Sequence, residues 1–266
     1  MKFSRNRSDR ILLVPNQWDG SVEHFYHFLL GYLMPAWTEV ERKGLRFATV
    51  RDCGPMNRWF EPLGTRVDLE IMNVGHVLHS FAGKLQRSVV LPSSDDPSRF
   101  NSQVIREFAL GYLNAAGIEP TKRSPSGLSI LDRSSSDPFY NASHSEAPES
   151  GVERRSIPNL VELPALLTSV DRYEIFDAAD VEIGPQLKCF SQTSTLVGQH
   201  GAGLANMIWM PPGGRVIEIL PPRPSHTVEI FRNLARACGH EYTAINQESA
   251  HAAIDLEQLA TRITER

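Results

Sequence analysis

Apolar residues follow two different spacings along the chain, and their alternation predicts strands interleaved with helices. Short continuous apolar runs are typical of buried strands, whereas apolar residues three and four positions apart indicate amphipathic helices. In the first half, the pattern predicts strands at residues 11–15, 46–51, 66–72 and 87–91, and helices at residues 23–42, 56–63 and 101–116. Strands that alternate with helices imply a mostly parallel sheet covered on both faces.

The alternation stops at residues 117–127, which are rich in proline, serine and charge, and it restarts beyond them. We interpret this segment as a linker and the polar residues 134–156 as a loop. The second half has predicted strands at residues 128–133, 173–178, 195–198 and 215–220, and helices at residues 160–170, 185–192, 204–210 and 256–264. We therefore predict two α/β domains, residues 1–120 and 121–266, with the last helix closing the chain or packing back on the first domain.

Composition and charge narrow the class of protein. The chain of 266 residues is 41% hydrophobic and 22% charged, which is ordinary for a globular protein with a buried core. A formal net charge of -4 argues against a broad nucleic-acid surface. The longest apolar stretch, residues 25–37, is shorter than the roughly 20 residues that span a bilayer, and no signal peptide is recognisable. We expect a cytoplasmic protein without a transmembrane segment or a nucleic-acid partner; peripheral contact with the inner face of a membrane is compatible with these features.

Two kinds of chemistry are disfavoured by what the motifs lack. Cys53, Cys189 and Cys238 lie far apart, in no metal-binding or disulfide spacing, so reduced thiols are the expectation. The HGAG sequence at residues 200–203 is similar to the oxyanion-hole turn of lipase-like hydrolases. Those enzymes also need a G-x-S-x-G nucleophile turn, and the sequence contains none.

The richest motif is a turn between two apolar runs in VGQHGAGLANMIWMPPGGRVIEIL, residues 197–220. His200 follows a predicted strand, at the edge where open α/β sheets bind ligands. Gly201 and Gly203 allow the backbone to turn tightly and to approach a ligand closely. The free N–H groups of the following helix favour an anion such as a phosphate, although the spacing of a dinucleotide-binding turn is absent. A plain tight turn with a hydrogen-bonded histidine explains the motif equally well.

Two charged side chains stand where an apolar core does not need them. Glu218 lies inside the predicted strand RVIEIL, and burying a carboxylate is costly unless it is paired or hydrogen-bonded. Two hydroxyl groups of a bound sugar would satisfy it, and a salt bridge with Arg215 or Arg223 is the alternative. Arg133 ends another predicted strand, where a guanidinium fork suits diphosphate oxygens; a solvent-exposed arginine is the alternative for this position.

Together, these residues resemble glycosyltransferase family 61. The motif at residues 197–220 is similar to the family's signature of a strand, HGAGL, an asparagine, an apolar run, PPG and VIE, with Asn206 and Glu218 at its polar positions. ILDRSSS followed by RRSIPN resembles a strand that ends in arginine, then an arginine pair and an asparagine. The matching positions are Arg133, Arg154, Arg155 and Asn159. HFYHFLLGYLMPAW resembles the start of the family's amino-terminal helix and puts His27 at its histidine.

The resemblance implies a GT-B-like α/β fold, with two Rossmann-like domains whose mostly parallel sheets face each other across a cleft. The second domain would bind a nucleotide sugar, expected to be UDP-linked, as substrate, and the first would present a glycan or glycolipid acceptor. Transfer in the family is inverting, and neither a metal nor a cofactor is expected. The residues implied for donor binding are Arg133, Arg155, Asn159, His200, Gly201, Ala202, Gly203, Leu204, Asn206 and Glu218.

Inverting transfer needs a general base for the acceptor hydroxyl. The resemblance points to His27 for this role, with His24 and Glu23 nearby at the same helix start. The chain departs from the family pattern at Gly31, because many relatives have an acidic residue four positions after the histidine. That departure favours the alternative hypothesis of a catalytically degenerate protein that binds a nucleotide sugar and acts as a regulatory or assembly partner. Hydrolysis of a donor by the purified protein would distinguish the two.

Overall fold

In a computed structural model, the chain folds as two compact units. The structure describes residues 11–16, 21–73, 87–119, 126–133, 135, 151–178, 181–222 and 229–265. One unit contains residues 1–99 and 114–117, and the other contains residues 100–113 and 118–266. The helix at Ser102–Ala115 thus contributes mainly to the second unit. The boundary drawn at residue 120 from the sequence stays a prediction.

The first unit contains a parallel sheet of four strands in the order β3-β2-β1-β4. The strands are β1 (Ile11–Val14), β2 (Phe47–Arg51), β3 (Asp68–Met72) and β4 (Arg87–Val90). In the register of the sheet, Ile11 pairs with Ala48 on one side and with Arg87 on the other. The order of successive strands reverses between β1 and β4, so the carboxyl ends of these two strands form the topological switch point at which open α/β sheets bind ligands.

A long buried helix covers the first sheet. It begins as α1 (Phe25–Phe28), widens into a π-helical segment (Leu29–Leu33) and continues as α2 (Met34–Lys43). Every residue at positions 28–37 is buried, so this apolar stretch is core. The Tyr32 hydroxyl ties it to the strands, because it donates to the Leu13 carbonyl at 3.1 Å and accepts from the Arg51 N–H at 2.7 Å. A 3-10 helix (Gly54–Phe60) and α3 (Glu61–Gly64) precede β3.

The second unit contains a parallel sheet of five strands in the order β6-β5-β7-β8-β9. The strands are β5 (Gly127–Leu131), β6 (Tyr173–Phe176), β7 (Thr193–Gln199), β8 (Arg215–Leu220) and β9 (Glu241–Asn246). Gly198 on β7 pairs with Leu131 on one side and with Glu218 on the other. Here the strand order reverses between β5 and β7, and the carboxyl ends of these strands form the second switch point.

The helices of the second unit pack on this sheet and on each other. They are α4 (Ser102–Ala115), α5 (Gly151–Arg154), a 3-10 helix (Leu160–Leu166), α6 (Ile183–Phe190), a second 3-10 helix (Ala202–Trp209), α7 (Ile230–Cys238) and α8 (Leu256–Thr264). The ring of Tyr112 on α4 stacks on Trp209 with ring centroids 4.9 Å apart. Leu256, Leu259 and Ile263 of α8 belong to the same buried cluster as Leu160 and Leu163. The last helix therefore packs within this unit.

The predicted alternation of strands and helices is confirmed, and the two parallel sheets fit a Rossmann-like arrangement. The helices predicted at residues 160–170 and 204–210 are of the 3-10 type, the first with Pro164 inside it. Three elements, α5, α7 and β9, were not predicted, and α5 lies within the segment interpreted as a loop. Most of the segments interpreted as linker (117–127) and loop (134–156) lie outside the described residues.

Candidate functional site

The carboxyl ends of β5 and β7 bring two predicted donor-binding arginines to one atom. Arg133 comes shortly after β5, and His200 directly follows β7. The Nη2 atom of Arg133 donates a hydrogen bond to the His200 carbonyl oxygen at 3.0 Å. Arg155 is buried, with 8% of its surface exposed, and its Nη1 atom donates to the same oxygen. Two guanidinium groups therefore meet at the switch point of the second sheet.

The glycines of the turn make room for packed side chains. A Cβ atom at Gly201 would lie 1.9 Å from Nη2 of Arg133, so any other residue would require the guanidinium to shift. A Cβ atom at Gly203 would lie 3.2 Å from Cδ1 of Leu131, which is a tight packing contact. The backbone next to Gly201 is thus covered by Arg133, whereas the sequence pattern predicted a bare turn that a diphosphate approaches directly. The turn continues into its 3-10 helix at Ala202, and the Leu204 N–H donates to the Gly201 carbonyl at 3.0 Å.

The surroundings of Arg133 concentrate positive charge. Burial lowers the pKa of Arg133, because water no longer solvates the guanidinium; Asp177 and Asp132 act in the opposite direction, and Arg154 lowers the pKa further. An arginine stays protonated in proteins despite such a shift. Arg155 adds its charge at the shared carbonyl. The arrangement favours an anion with several oxygen atoms.

Behind the turn, His200 belongs to a buried polar chain. Its Nδ1 atom hydrogen-bonds with Oε1 of Glu218, which is completely buried. The Tyr242 hydroxyl donates to the other Glu218 oxygen at 2.5 Å. Burial and the neighbouring Glu218 raise the pKa of Tyr242, so the hydroxyl keeps its proton and remains a donor. The alternative partner Arg215 instead donates to backbone carbonyls, including that of Ile263 at 2.7 Å, and Arg223 lies outside the described residues.

In the first unit, a histidine and an aspartate meet at the other switch point. Nδ1 of His27 on α1 lies 2.6 Å from Oδ2 of Asp95, which follows β4. The Asp95 side chain is completely buried, whereas 17% of the His27 side chain is exposed. The Ser93 hydroxyl donates to the second carboxylate oxygen at 3.2 Å, and the Tyr26 hydroxyl donates to the Asp95 backbone carbonyl at 2.7 Å. His27 is therefore held from one side and reaches the surface on the other.

The other two candidate catalytic residues lie at the same helix start, as predicted. The Glu23 carboxylate pairs with Nη2 of Arg51 at 2.9 Å. His24 is the residue immediately before α1, and its carbonyl accepts the Phe28 N–H at 2.9 Å. Glu23 thus has a cationic partner of its own, whereas His27 has a carboxylate. The contact with Asp95 orients the His27 imidazole, and a histidine held in this way is suited to proton transfer.

Comparison with known families identifies the family to which the chain belongs. The family model Glycosyltransferase 61 matches residues 25–217, which is more than half of the chain. The chain belongs to glycosyltransferase family 61. A search of curated proteins gives no match. Family membership supports glycosyl transfer as the general function, which requires a donor and an acceptor substrate.

Two asparagines of this family 61 protein hold its backbone together. The Asn159 amide donates to the Ile254 carbonyl at 2.8 Å and accepts the Ile254 N–H at 3.1 Å. Asn206 is completely buried, donates to the Gly203 carbonyl at 3.0 Å and accepts from the Trp209 indole at 3.1 Å. Their predicted contact with a donor would require these bonds to open, and it stays a prediction.

Sequence patterns did not identify Asp95 and Tyr242 as neighbours of the candidate site residues. Asp95 lies just beyond a predicted strand, in the sequence LPSSDDPSRF, and polar residues at that end of a parallel strand are the signal that could have found it. Tyr242 lies on β9, an edge strand that was not predicted. Both residues contact predicted site residues from elsewhere in the chain.

The described residues contain neither a metal-binding cluster nor a membrane-spanning helix. No group of three or more histidine, cysteine, aspartate or glutamate side chains there is arranged to hold a metal ion. No helix in the described part of the chain is long and apolar enough to cross a membrane. Independence from metals and cofactors stays a prediction.

Proposed function

We propose that this family 61 protein is an inverting glycosyltransferase that moves a sugar from a nucleotide-sugar donor, UDP-linked by the family resemblance, to a hydroxyl of a glycan or glycolipid. The observation that carries the proposal is the convergence of Arg133 and Arg155 on the His200 carbonyl. In open α/β sheets, ligands bind outside the carboxyl ends of the strands at a switch point. Buried cations at that place suit the diphosphate of a nucleotide sugar.

The chemistry of arginine explains how the donor would be held. A guanidinium has five N–H donors in a planar fork that matches phosphate oxygens. Among the described residues, the Arg133 guanidinium donates one hydrogen bond, to the His200 carbonyl, so its remaining N–H groups would be donors for a diphosphate. As the bond between the sugar and the phosphate breaks, charge develops on the departing diphosphate. Arg133 and Arg155 would stabilise that charge in place of a metal ion.

His27 would act on the acceptor. The acceptor oxygen forms a bond with the anomeric carbon, the bond from that carbon to the phosphate oxygen breaks, and the acceptor proton passes to His27. Such proton transfer contributes on the order of 10²–10⁴-fold to a rate. For His27 and Arg133 to act on one donor, we propose the GT-B architecture that the family resemblance implies. Glu218 would act on the donor through His200, since both of its oxygens have protein partners.

The alternative hypothesis, a catalytically degenerate binding protein, is based on Gly31, because glycine places no acidic side chain beside His27. Asp95 supplies a carboxylate to His27 from another part of the chain, so the missing acid at position 31 does not disable the histidine. We therefore favour the enzyme. The binding protein would be stabilised by a donor but would release no sugar from it.

A donor panel tests the proposal. Purified protein is screened by thermal shift against UDP-, GDP-, CMP- and dTDP-linked sugars, and release of free sugar and nucleotide is then measured for each donor that stabilises it. We expect at least one donor to raise the melting temperature and to be consumed, and His27→Gln to bind that donor without consuming it. Stabilisation without consumption by the wild type would support the binding protein instead. If no nucleotide sugar stabilises the protein, the proposal fails.

A further inference from the structure

We infer that Asp95 is a positioning residue for His27, which it holds with the proton on Nδ1 and with Nε2 free, and that Gly31 is the residue that makes room for it. The catalytic importance of this pair rests on the proposed function, in which His27 is the base. The contacts from which we infer the orientation lie within the first unit.

The contact between the two side chains is short and shielded. Nδ1 of His27 lies 2.6 Å from Oδ2 of Asp95, and the aspartate has no surface exposed. Its carboxylate is fixed by the Ser93 hydroxyl at 3.2 Å, and its backbone carbonyl by the Tyr26 hydroxyl at 2.7 Å. The Tyr26 ring also meets the His27 ring edge-on, with centroids 5.0 Å apart. Both partners are therefore held in place before any substrate arrives.

Gly31 occupies the position at which a side chain would collide with this carboxylate. A Cβ atom there would lie 3.0 Å from both Cγ and Oδ2 of Asp95, and 3.3 Å from Oδ1. Gly31 does not have the positive φ that demands glycine, so it is the limited space beside Asp95, and not the backbone, that favours glycine here. It lies in the π-helical segment Leu29–Leu33, one turn beyond His27, and π-bulges are frequent at functional sites.

A carboxyl group attached at position 31 would therefore fall where the Asp95 carboxylate now lies. A carboxylate from position 31 and one from position 95 could not both lie beside His27. In this chain the carboxylate comes from Asp95, in the segment after β4, and not from the helix. The departure at Gly31 and the buried Asp95 are then two parts of one arrangement.

The arrangement determines which nitrogen of His27 can accept a proton. A neutral imidazole has one N–H, and an ionised carboxylate is only an acceptor, so the N–H that faces Asp95 is on Nδ1. Within the described part of the chain, Nε2 has no hydrogen bond. Its lone pair can take the proton of an acceptor hydroxyl, and the Asp95 carboxylate stabilises the imidazolium that results. Asp95 acts through His27 and touches no substrate.

The tautomer of His27 can be read directly from the protein without any substrate. Protein labelled with ¹⁵N in its histidines is examined by two-bond ¹H–¹⁵N correlation spectroscopy at a pH where the imidazole is neutral, and the His27 signals are assigned by their loss in His27→Gln. We expect a protonated Nδ1 and an unprotonated Nε2. A wild-type His27 protonated at Nε2 overturns the inference, whatever the variants do.

Moving the carboxylate tests the role of Gly31. Asp95→Ala should remove the preference of His27 for the Nδ1–H tautomer. It should also lower the rate of consumption of the donor found in the panel by on the order of 10²-fold or more, with little change in donor affinity. The double variant Gly31→Asp/Asp95→Ala should restore both the Nδ1–H tautomer and much of the rate. The matched control Gly31→Ala/Asp95→Ala fills the same space without a carboxylate and should restore neither. Equal behaviour of the two double variants would overturn the role of Gly31.

The two proposals fail separately. If the wild type has the Nδ1–H tautomer but consumes no nucleotide sugar, the proposed function falls and the Asp95–His27 orientation stands. If an active wild type has the Nε2–H tautomer, or if Asp95→Ala keeps the wild-type rate, the positioning role falls and the transferase stands.

Discussion

His200 and Glu218 bond to each other between the neighbouring strands β7 and β8, inside the second unit. The carboxylate uses one oxygen for Nδ1 of His200 and the other for the Tyr242 hydroxyl. This explains how a glutamate can stand in an apolar strand, because a buried carboxylate is tolerated when its oxygens are hydrogen-bonded. The same contact orients the residue whose carbonyl accepts Arg133 and Arg155. Glu218 thus holds His200 in place from the buried side of the turn.

Glu218→Ala is expected to destabilise the fold. It removes the shared partner of the buried His200 imidazole and of the half-buried Tyr242 hydroxyl, and a buried polar group that loses its bond costs about 1–3 kcal/mol. We expect the free energy of unfolding, measured by urea denaturation, to fall by about 3 kcal/mol or more. Tyr242→Phe is the matched control, because it breaks one bond of the chain and should cost about 1–2 kcal/mol. If both variants stay within about 0.5 kcal/mol of the wild type, the buried chain does not stabilise the fold.

Gly201→Ala is expected to weaken donor binding by moving Arg133. The new methyl group would lie 1.9 Å from the present position of Nη2, so the end of the guanidinium must shift, and we expect this shift to weaken its bond to the His200 carbonyl. We expect at least a tenfold loss of affinity, about 1.4 kcal/mol, for the donor identified in the panel. Gly184→Ala on the exposed part of α6 is the control, because no atom lies within 4 Å of its new Cβ. Unchanged affinity in Gly201→Ala would show that the position of Arg133 does not matter for the donor.

His240 is expected to make stability depend on pH. Burial lowers its pKa, although the bond to the Met207 carbonyl, 3.0 Å from Nε2, acts in the opposite direction. Its Nδ1 atom is buried and has no hydrogen-bond partner among the described residues. In the unfolded chain the imidazole gains a proton below about pH 6.5. The folded state resists that proton, so stability is fully present above this pH and declines as the pH falls below it.

Comparison of the wild type with His240→Gln isolates this effect. Glutamine keeps a donor for the Met207 carbonyl but does not titrate. Between pH 7.5 and about pH 5, the wild type should lose more unfolding free energy than the variant, by at most about 1.4 kcal/mol per pH unit for one proton. Parallel pH profiles of the two proteins would exclude His240 as the cause.

The fold was largely predictable because its central strands are continuous apolar runs that alternate with helices. RVIEIL and TLVG are such runs, and both are strands of the second sheet. The missed strand β9 is an edge strand in which only Ile245 is buried, so its sequence carries little apolar signal. The 3-10 type of the helix after the turn was not predictable either, because spacing rules do not distinguish helix types over so few residues.

The site was predictable where one short segment contains it, as in the His200 turn. It was not predictable where residues far apart in sequence meet. Asp95 reaches His27 across 68 positions, and Tyr242 reaches Glu218 across 24. The reason for a glycine at position 201 also depends on such a contact, because the Arg133 guanidinium that packs against it comes from the end of another strand.

The affinity of the donor for wild type and Arg133→Ala, measured by calorimetric titration, tests the central claim most directly. Arg172→Ala is the matched control, because Arg172 is exposed and stands just before β6, at the amino ends of the strands. We predict saturable binding of a nucleotide sugar to the wild type and to Arg172→Ala, and at least a hundredfold weaker binding to Arg133→Ala, about 2.7 kcal/mol. Equal affinity in all three proteins would contradict a donor site at the ends of β5 and β7.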